Sequence, residues 1–296
     1  MDGNSRHDVE KLGGINSMIV VFHLYYPVLL GIVLRQQFLA TIGTNIPDRA
    51  GESIRRRKIR KREVCIMDSF FIAGTDTGVG KTVLSLILMQ YLYHCGSNPI
   101  YIKPIQTGCR DPYDKDSDAK FIYDHVKELQ GKDCASSVIC CFREPKAPYF
   151  AARNEGKEID SHELLQEICK RGEGHSHMII EGAGGLFVPL TKTMLMIDLI
   201  RETRAIPVVA GRAALGTINH VLMSFETLCH RHLTPRGIVL IDSQSPPTDT
   251  VMIRENQEAI EAFSHLPIAG VIPSIADFAK PLDFFFPICE RLLGKG

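Results

Sequence analysis

The stretch FFIAGTDTGVGKTVLSLILMQYL, residues Phe70 to Leu92, decides the fold. An apolar run, a glycine-rich turn ending in Gly80-Lys81-Thr82 and a longer apolar run read as strand, loop and helix, the setting that a phosphate-binding loop requires. Such loops normally follow G-x-x-x-x-G-K-[ST]. Here the first glycine, Gly74, comes one residue early and Thr75 takes its usual place. Backbone N–H groups from Gly74 through Thr75, Asp76, Thr77, Gly78, Val79 and Gly80, aided by the positive end of the following helix, are expected to hold phosphate oxygens. In a loop of this kind Lys81 reaches the β and γ phosphates of a nucleotide, and the Thr82 hydroxyl ligates Mg2+.

Working outward, residues 69–74 are the first of seven short apolar runs rich in β-branched residues. The others are 99–105, 137–142, 177–182, 206–211, 237–241 and 268–273. Helical patterns lie between most of them, at 81–94, 117–129, 161–171, 217–232 and 250–263. Near-continuous apolar strands alternating with helices predict an α/β fold. It is a single doubly wound, mainly parallel sheet with helices on both faces, of the P-loop NTPase type, spanning residues 67–296. Ligands of such sheets gather at the carboxyl ends of the strands.

The residues just after each strand are therefore the candidate site. IKPIQTG brings Lys103 to the end of the second strand, with Thr107 beyond it. A lysine leaving an apolar strand either snorkels to water or reaches into the site; its position favours the site. DKDSDAKF supplies Asp114, Asp116 and Asp118, which suit solvated loop charges or a helix cap, with one of them available to Mg2+. MIIEGAGGLFVPL ends its strand in Glu181, the place of an acid that binds Mg2+ directly or through water. After it, Gly182, Gly184 and Gly185 let backbone approach a ligand with no Cβ in the way.

With 296 residues and 45% hydrophobic content, the chain can bury a sizeable core. Lys+Arg and Asp+Glu are both 34, so overall charge does not point to nucleic acid. Nine cysteines without a C-x-x-C pair suit unpaired thiols in a reducing compartment, here the cytoplasm, and not a metal cluster. Residues 1–66 differ from the rest: they hold 11 basic and 6 acidic residues. MIVVFHLYYPVLLGIVL (18–34) is an apolar run of 17 residues, interrupted by His23 and Pro27, and RRRKIRKR (55–62) follows it. A bilayer-spanning helix needs about 20 residues. The pair would fit a membrane anchor or a patch for anionic lipid or nucleic acid. Because Met67 directly precedes the first strand, residues 1–66 are read instead as an N-terminal extension, from an upstream start or as a disordered tail. Neither membrane nor nucleic acid is expected as a partner.

Together, GTDTGVGKT (74–82), IKPIQTG (102–108), EGAGGLFVPL (181–190) and LGTINH (215–220) resemble the dethiobiotin synthetase family, in the family's order. The early glycine belongs to that family's loop. REPKAPYFAARNEGKEI (143–159) is similar to the family's substrate-bordering segment, with Tyr149 where histidine is common. The resemblance implies an ATP-dependent ring closure in biotin synthesis. The diamine 7,8-diaminopelargonate is carboxylated on nitrogen by CO2, and the carbamate attacks the γ phosphate of ATP. The second amine then closes the mixed anhydride to the ureido ring of dethiobiotin, giving ADP and phosphate. An anionic carbamate must meet an anionic phosphate, so cations are needed there.

By the same resemblance Lys81, Lys103 and Thr77 are catalytic, and Thr82, Asp118 and Glu181 are the Mg2+ ligands. Lys103, Thr107 and Pro148 border the diamine. Gly216, Thr217 and Asn219, at a helix start, suit its carboxylate tail, which the family binds across a homodimer interface. One departure concerns the base: the family commonly reads adenine with an asparagine at the end of the sixth strand, where this chain has Ile241-Asp242-Ser243. Asp242 remains a nucleotide-contact candidate, and relaxed base selectivity is expected. The rival reading is a membrane-associated ATPase switch of the partitioning and division-site type, anchored through residues 18–62. Those ATPases carry a second lysine five residues before the loop lysine; Asp76 stands there, and Lys103 has no task in a pure switch.

Overall fold

The structure is a computed structural model that describes residues 68–278, 280 and 282–294. The predicted extension, with its apolar run and basic cluster, lies outside the described residues. No helix of the described residues is long and apolar enough to cross a membrane.

The strands are β1 (Asp68–Gly74), β2 (Pro99–Thr107), β3 (Val138–Phe142), β4 (His177–Gly185), β5 (Ile206–Arg212), β6 (Gly237–Ile241) and β7 (Ile268–Ile272). They form one sheet in the order β3-β2-β4-β1-β5-β6-β7, and every pairing is parallel. All seven stand where the apolar runs predicted them, but β2 and β4 run on to Thr107 and Gly185, so Lys103 and Glu181 lie inside their strands and not at the ends, and Thr107 closes β2 instead of lying beyond it. A parallel pair needs a crossover, and crossovers put helices on the faces, so the strands must be apolar on both sides. Accordingly β1 is buried from Ser69 to Gly74.

The helices are α1 (Lys81–His94), α2 (Asp118–His125), α3 (Pro148–Asn154), α4 (Ser161–Gly172), α5 (Met196–Thr203), α6 (Thr217–His230), α7 (Thr250–Ser264) and α8 (Phe286–Leu293). Side chains alternate across a strand, and β1 divides its own between two cores. Phe70 and Ile72 pack in one with Leu88 of α1, Ile122 of α2 and Leu292 of α8. Phe71 and Ala73 pack in the other with Ala151 of α3, Leu164 of α4, Leu199 of α5, Val221 of α6 and Ile260 of α7. Helix α1 is buried over most of its length because its sequence is apolar nearly all round. Ser117, Asp160 and Asp249 open α2, α4 and α7 as side-chain caps.

Two features depart from the sequence pattern. The helix expected over 117–129 stops at His125, where buried Val126 turns extended and a 3-10 turn follows at Lys127–Leu129. Helices α3, α5 and α8 were not predicted; at seven or eight residues each they are too short to display the helical period.

The chain runs from β1 to β2, on to the edge at β3, and back to insert β4 between them, before crossing to β5 on the far side of β1. That reversal brings the loops after β1, β2 and β4 together at one end of the sheet, where such folds bind ligands.

Candidate active site

The displaced glycine has a steric reason. A Cβ on Gly74 would lie 2.7 Å from both the Asp76 carbonyl oxygen and Lys81 Nζ, and 3.0 Å from the Gly184 carbonyl oxygen. Only glycine lets the loop fold back at the strand end. Thr75, in the usual glycine position, donates its N–H to the Ala210 carbonyl of β5 at 3.0 Å. At the other end of the loop Gly80 has a φ of 89°, and a Cβ there would stand 2.6 Å from Ile241 Cγ2.

Lys81 is buried, and its ammonium donates to the Asp76 carbonyl at 2.9 Å. Burial first, and the neighbouring Lys103 second, push it down to about 8. An anionic group bound beside it would reverse that pressure. Next to it, the Thr82 hydroxyl lies 2.8 Å from Asp118 Oδ1 and 2.9 Å from Glu181 Oε1. Lys103 Nζ lies 2.6 Å from Asp118 Oδ2 and 2.8 Å from Glu181 Oε1. Burial alone would lower the Lys103 ammonium, but Asp118 and Glu181 more than offset it and hold it above the ordinary lysine value. Burial likewise would raise the Asp118 carboxyl, and Lys103 reverses this to leave it below the usual carboxylate range. The first turn of α1, β2, α2 and β4 thus each send one or two side chains to a single charged cluster.

Of the three candidate aspartates, Asp118 alone joins that cluster; Asp114 accepts from Arg110 Nε at 3.2 Å, away from it. The sequence reading missed two participants. Tyr101 donates its hydroxyl to Glu181 Oε2 at 2.9 Å. Gln106 accepts the Asp118 backbone N–H at 3.1 Å, pinning the start of α2.

A cleft of about 410 Å3 opens over the cluster. The loop lines it with Thr77, Gly78, Gly80, Lys81 and Thr82, and β2 with Lys103, Gln106 and Thr107. Asp118, Glu181, Gly184 and the segment from Pro145 to Pro148 complete its lining. Gly74, Thr75, Asp76, Val79, Gly182 and Gly185 stand outside this lining. Gly182 is small for packing: a Cβ would come 2.9 Å from the Phe71 ring. Asp242 is buried at the end of β6, and its carboxylate accepts from Gln244 N at 3.1 Å and Thr248 N at 2.8 Å, within its own loop.

Gly216 and Asn219 line a different cavity, of about 710 Å3, whose wall includes Leu215, Ile218 and Met223. Thr217 is buried beside them. Thr217 Oγ1 and Asn256 Nδ2 are buried without a hydrogen-bond partner among the described residues, and Asn256 lines the same cavity.

Comparison with known proteins bears on this geometry. A family model described as an AAA domain matches residues 68–281. An ATP-dependent dethiobiotin synthetase from Lysinibacillus sphaericus is 35% identical over 238 residues, covering 77% of this chain and 98% of that one. The chain belongs to the dethiobiotin synthetase family. A second relative of that name, from a Hydrogenobaculum species, is 40% identical over 173 residues, 57% of this chain and 75% of its own. Among solved structures, a plasmid partition protein from Borrelia burgdorferi superposes with a TM-score of 0.50 at 12% identity, covering 77% of this chain and 98% of that one. That likeness speaks for the shared P-loop fold alone. The four motifs quoted from the sequence fall on the β1 loop, on β2, on β4 with its following loop, and at the start of α6, so the family resemblance and the fold coincide.

Proposed function

We propose that this protein closes the ureido ring of dethiobiotin from 7,8-diaminopelargonate and CO2 at the expense of ATP, as a carbon-nitrogen ligase of biotin synthesis. The observation that carries the reading is the meeting of Lys81 and Lys103 in one cleft with Thr82, Asp118 and Glu181. The carbamate formed from one amine and CO2 attacks the γ phosphorus through oxygen, and ADP leaves. The second amine then attacks the carbamate carbon, and phosphate leaves as the ring closes. Lys81 and Lys103 neutralise negative charge where two anions meet. Thr77, Thr107 and Pro148, which all line the cleft, orient the diamine.

The oxygens of Thr82, Asp118 and Glu181 are hard donors a few ångströms apart, the kind Mg2+ takes alongside substrate phosphates. When bound, Mg2+ supplies further neutralisation of phosphate charge. The working form is a homodimer in which Gly216, Thr217 and Asn219 of the second copy receive the carboxylate tail. The separate cavity at the start of α6 and the unpartnered Asn256 donor support this. The compartment is the cytoplasm, where ATP is available, and residues 1–66 act as an extension dispensable for the chemistry.

The test is phosphate release by the full chain with Mg2+ and ATP. Release that requires both the diamine and bicarbonate supports the reading; release indifferent to the diamine refutes it in favour of an ATPase switch.

A further inference from the structure

We infer that Tyr101 is a positioning residue for Glu181, fixing its carboxylate so that a single oxygen is offered to the cleft; this rests on the reading of Glu181 as a Mg2+ ligand. Tyr101 is in register with Ile179 of β4. With side chains alternating along each strand, Tyr101 and Lys103 therefore stand on the α1 face of the sheet, the face to which Glu181, two residues after Ile179, also turns. The Tyr101 hydroxyl donates to Glu181 Oε2 at 2.9 Å. Lys103 Nζ donates to the other oxygen, Oε1, at 2.8 Å, and the Thr82 hydroxyl, whose one hydrogen is shared between Asp118 and Glu181, lies 2.9 Å from it. Tyr101 and Glu181 are each 1% exposed, so water does not compete for these bonds.

The arrangement divides the work of one carboxylate. Rotation about the last torsion of a glutamate is soft, and Lys103 and Thr82 by themselves hold only one oxygen. The tyrosine holds the second from below, which sets the plane of the group and turns Oε2 away from the cleft. Mg2+ demands near-ideal octahedral geometry, so a carboxylate free to present either oxygen is a poorer ligand for it. A tyrosine in a buried strand otherwise needs a partner only for its own hydroxyl; here the partner is a residue at the reacting end of the cleft.

The experiment compares the full wild-type chain with Tyr101→Phe, using Mn2+ as the probe and reading bound Mn2+ by electron paramagnetic resonance with a non-hydrolysable ATP analogue. Mn2+ affinity should fall about tenfold, as for other groups that orient metal ligands. The Mg2+ concentration giving half-maximal phosphate release should rise in step, while the KM for ATP at saturating Mg2+ stays within about twofold. In a Glu181→Gln background the tyrosine change should weaken Mn2+ no further. Tyr101→Leu, which also lacks the hydroxyl, should give the same reading if the phenylalanine variant is not recovered folded. Wild-type Mn2+ affinity in a folded hydroxyl-free variant overturns the inference, since a tyrosine that serves only packing would lower stability without moving the metal. A wild-type chain that binds no Mn2+ with the analogue refutes the metal reading itself, and the inference with it.

Discussion

The Lys103 ammonium lies 2.8 Å from Glu181 Oε1, although 78 residues separate the two in sequence. Both are almost wholly buried, and Asp118 approaches the same ammonium at 2.6 Å. Removing the cation leaves the buried Glu181 carboxylate unpaired and facing the partly exposed Asp118; deleting one partner of a buried pair costs about 3–5 kcal/mol. Lys103→Ala should therefore unfold at lower urea concentration. Its turnover should fall by roughly 10^2 to 10^3, as expected when a cation facing transition-state charge is lost. Nucleotide binding, measured by calorimetry, should persist through the loop and Lys81. Near-normal turnover in this variant would contradict the role given to Lys103.

Glycine is required at position 80 for two separate reasons. Its φ of 89° is left-handed, and a Cβ would meet Ile241 Cγ2 at 2.6 Å. The backbone penalty for a non-glycine residue there is about 1–3 kcal/mol, before the clash is counted. Gly80→Ala should lower stability and weaken ATP binding more than about tenfold by displacing loop N–H groups. Gly96 has a φ of 73° with nothing within 4 Å of a Cβ, so Gly96→Ala should be mildly destabilised and fully active. Equal effects of the two changes on ATP binding would contradict this account of the loop.

Base selectivity should be loose. Asp242 directly follows β6, and both its carboxylate oxygens accept bonds from Gln244 and Thr248. A side chain occupied in closing its own loop discriminates little between bases. Values of kcat/KM for ATP, GTP and CTP are expected to agree within about tenfold, or roughly 1.4 kcal/mol. A strong preference for ATP over both would contradict the expectation.

Stability should decline on the alkaline side. Burial pushes the Cys109 thiol up to about 11 and also raises Cys289. In the unfolded chain thiols ionise near ~8.5. Above that pH the unfolded state binds fewer protons than the native state, so the contribution is complete below it and is lost as pH rises through the native values. Each thiol adds a slope of at most about 1.4 kcal/mol per pH unit. In urea titrations across this range Cys289→Ala should decline less steeply than wild type; parallel declines would contradict the assignment.

The strands were legible because a parallel strand buried on both faces reads as an unbroken apolar run, as in GIVLI of β6. The loop was legible because glycines and a lysine at fixed spacing have few other uses. Asp118 was set apart from Asp114 and Asp116 by the family resemblance alone; the local pattern offered only a helix start at Ser117, and that cap is formed. Other parts depend on contacts that no local pattern encodes. An aromatic residue inside a strand is core by default, and the partner of Tyr101 lies 80 residues away. Gln106 acts through its amide on the start of α2, and Asn256 is notable only because burial strands its side-chain nitrogen. Helix α3, which follows the Pro145–Ala147 wall of the cleft and begins at Pro148, spans only Pro148–Asn154, and its one sequence signal is that first-turn proline.

The most direct measurement of the ring-closing activity is the mass of the product made by the full chain from ATP, Mg2+, carbon-13 bicarbonate and 7,8-diaminopelargonate. Dethiobiotin carrying the label in its ureido carbon, with one phosphate released per ring formed, is the expected result. Phosphate released at the same rate without the diamine, with no labelled ring product, would contradict it.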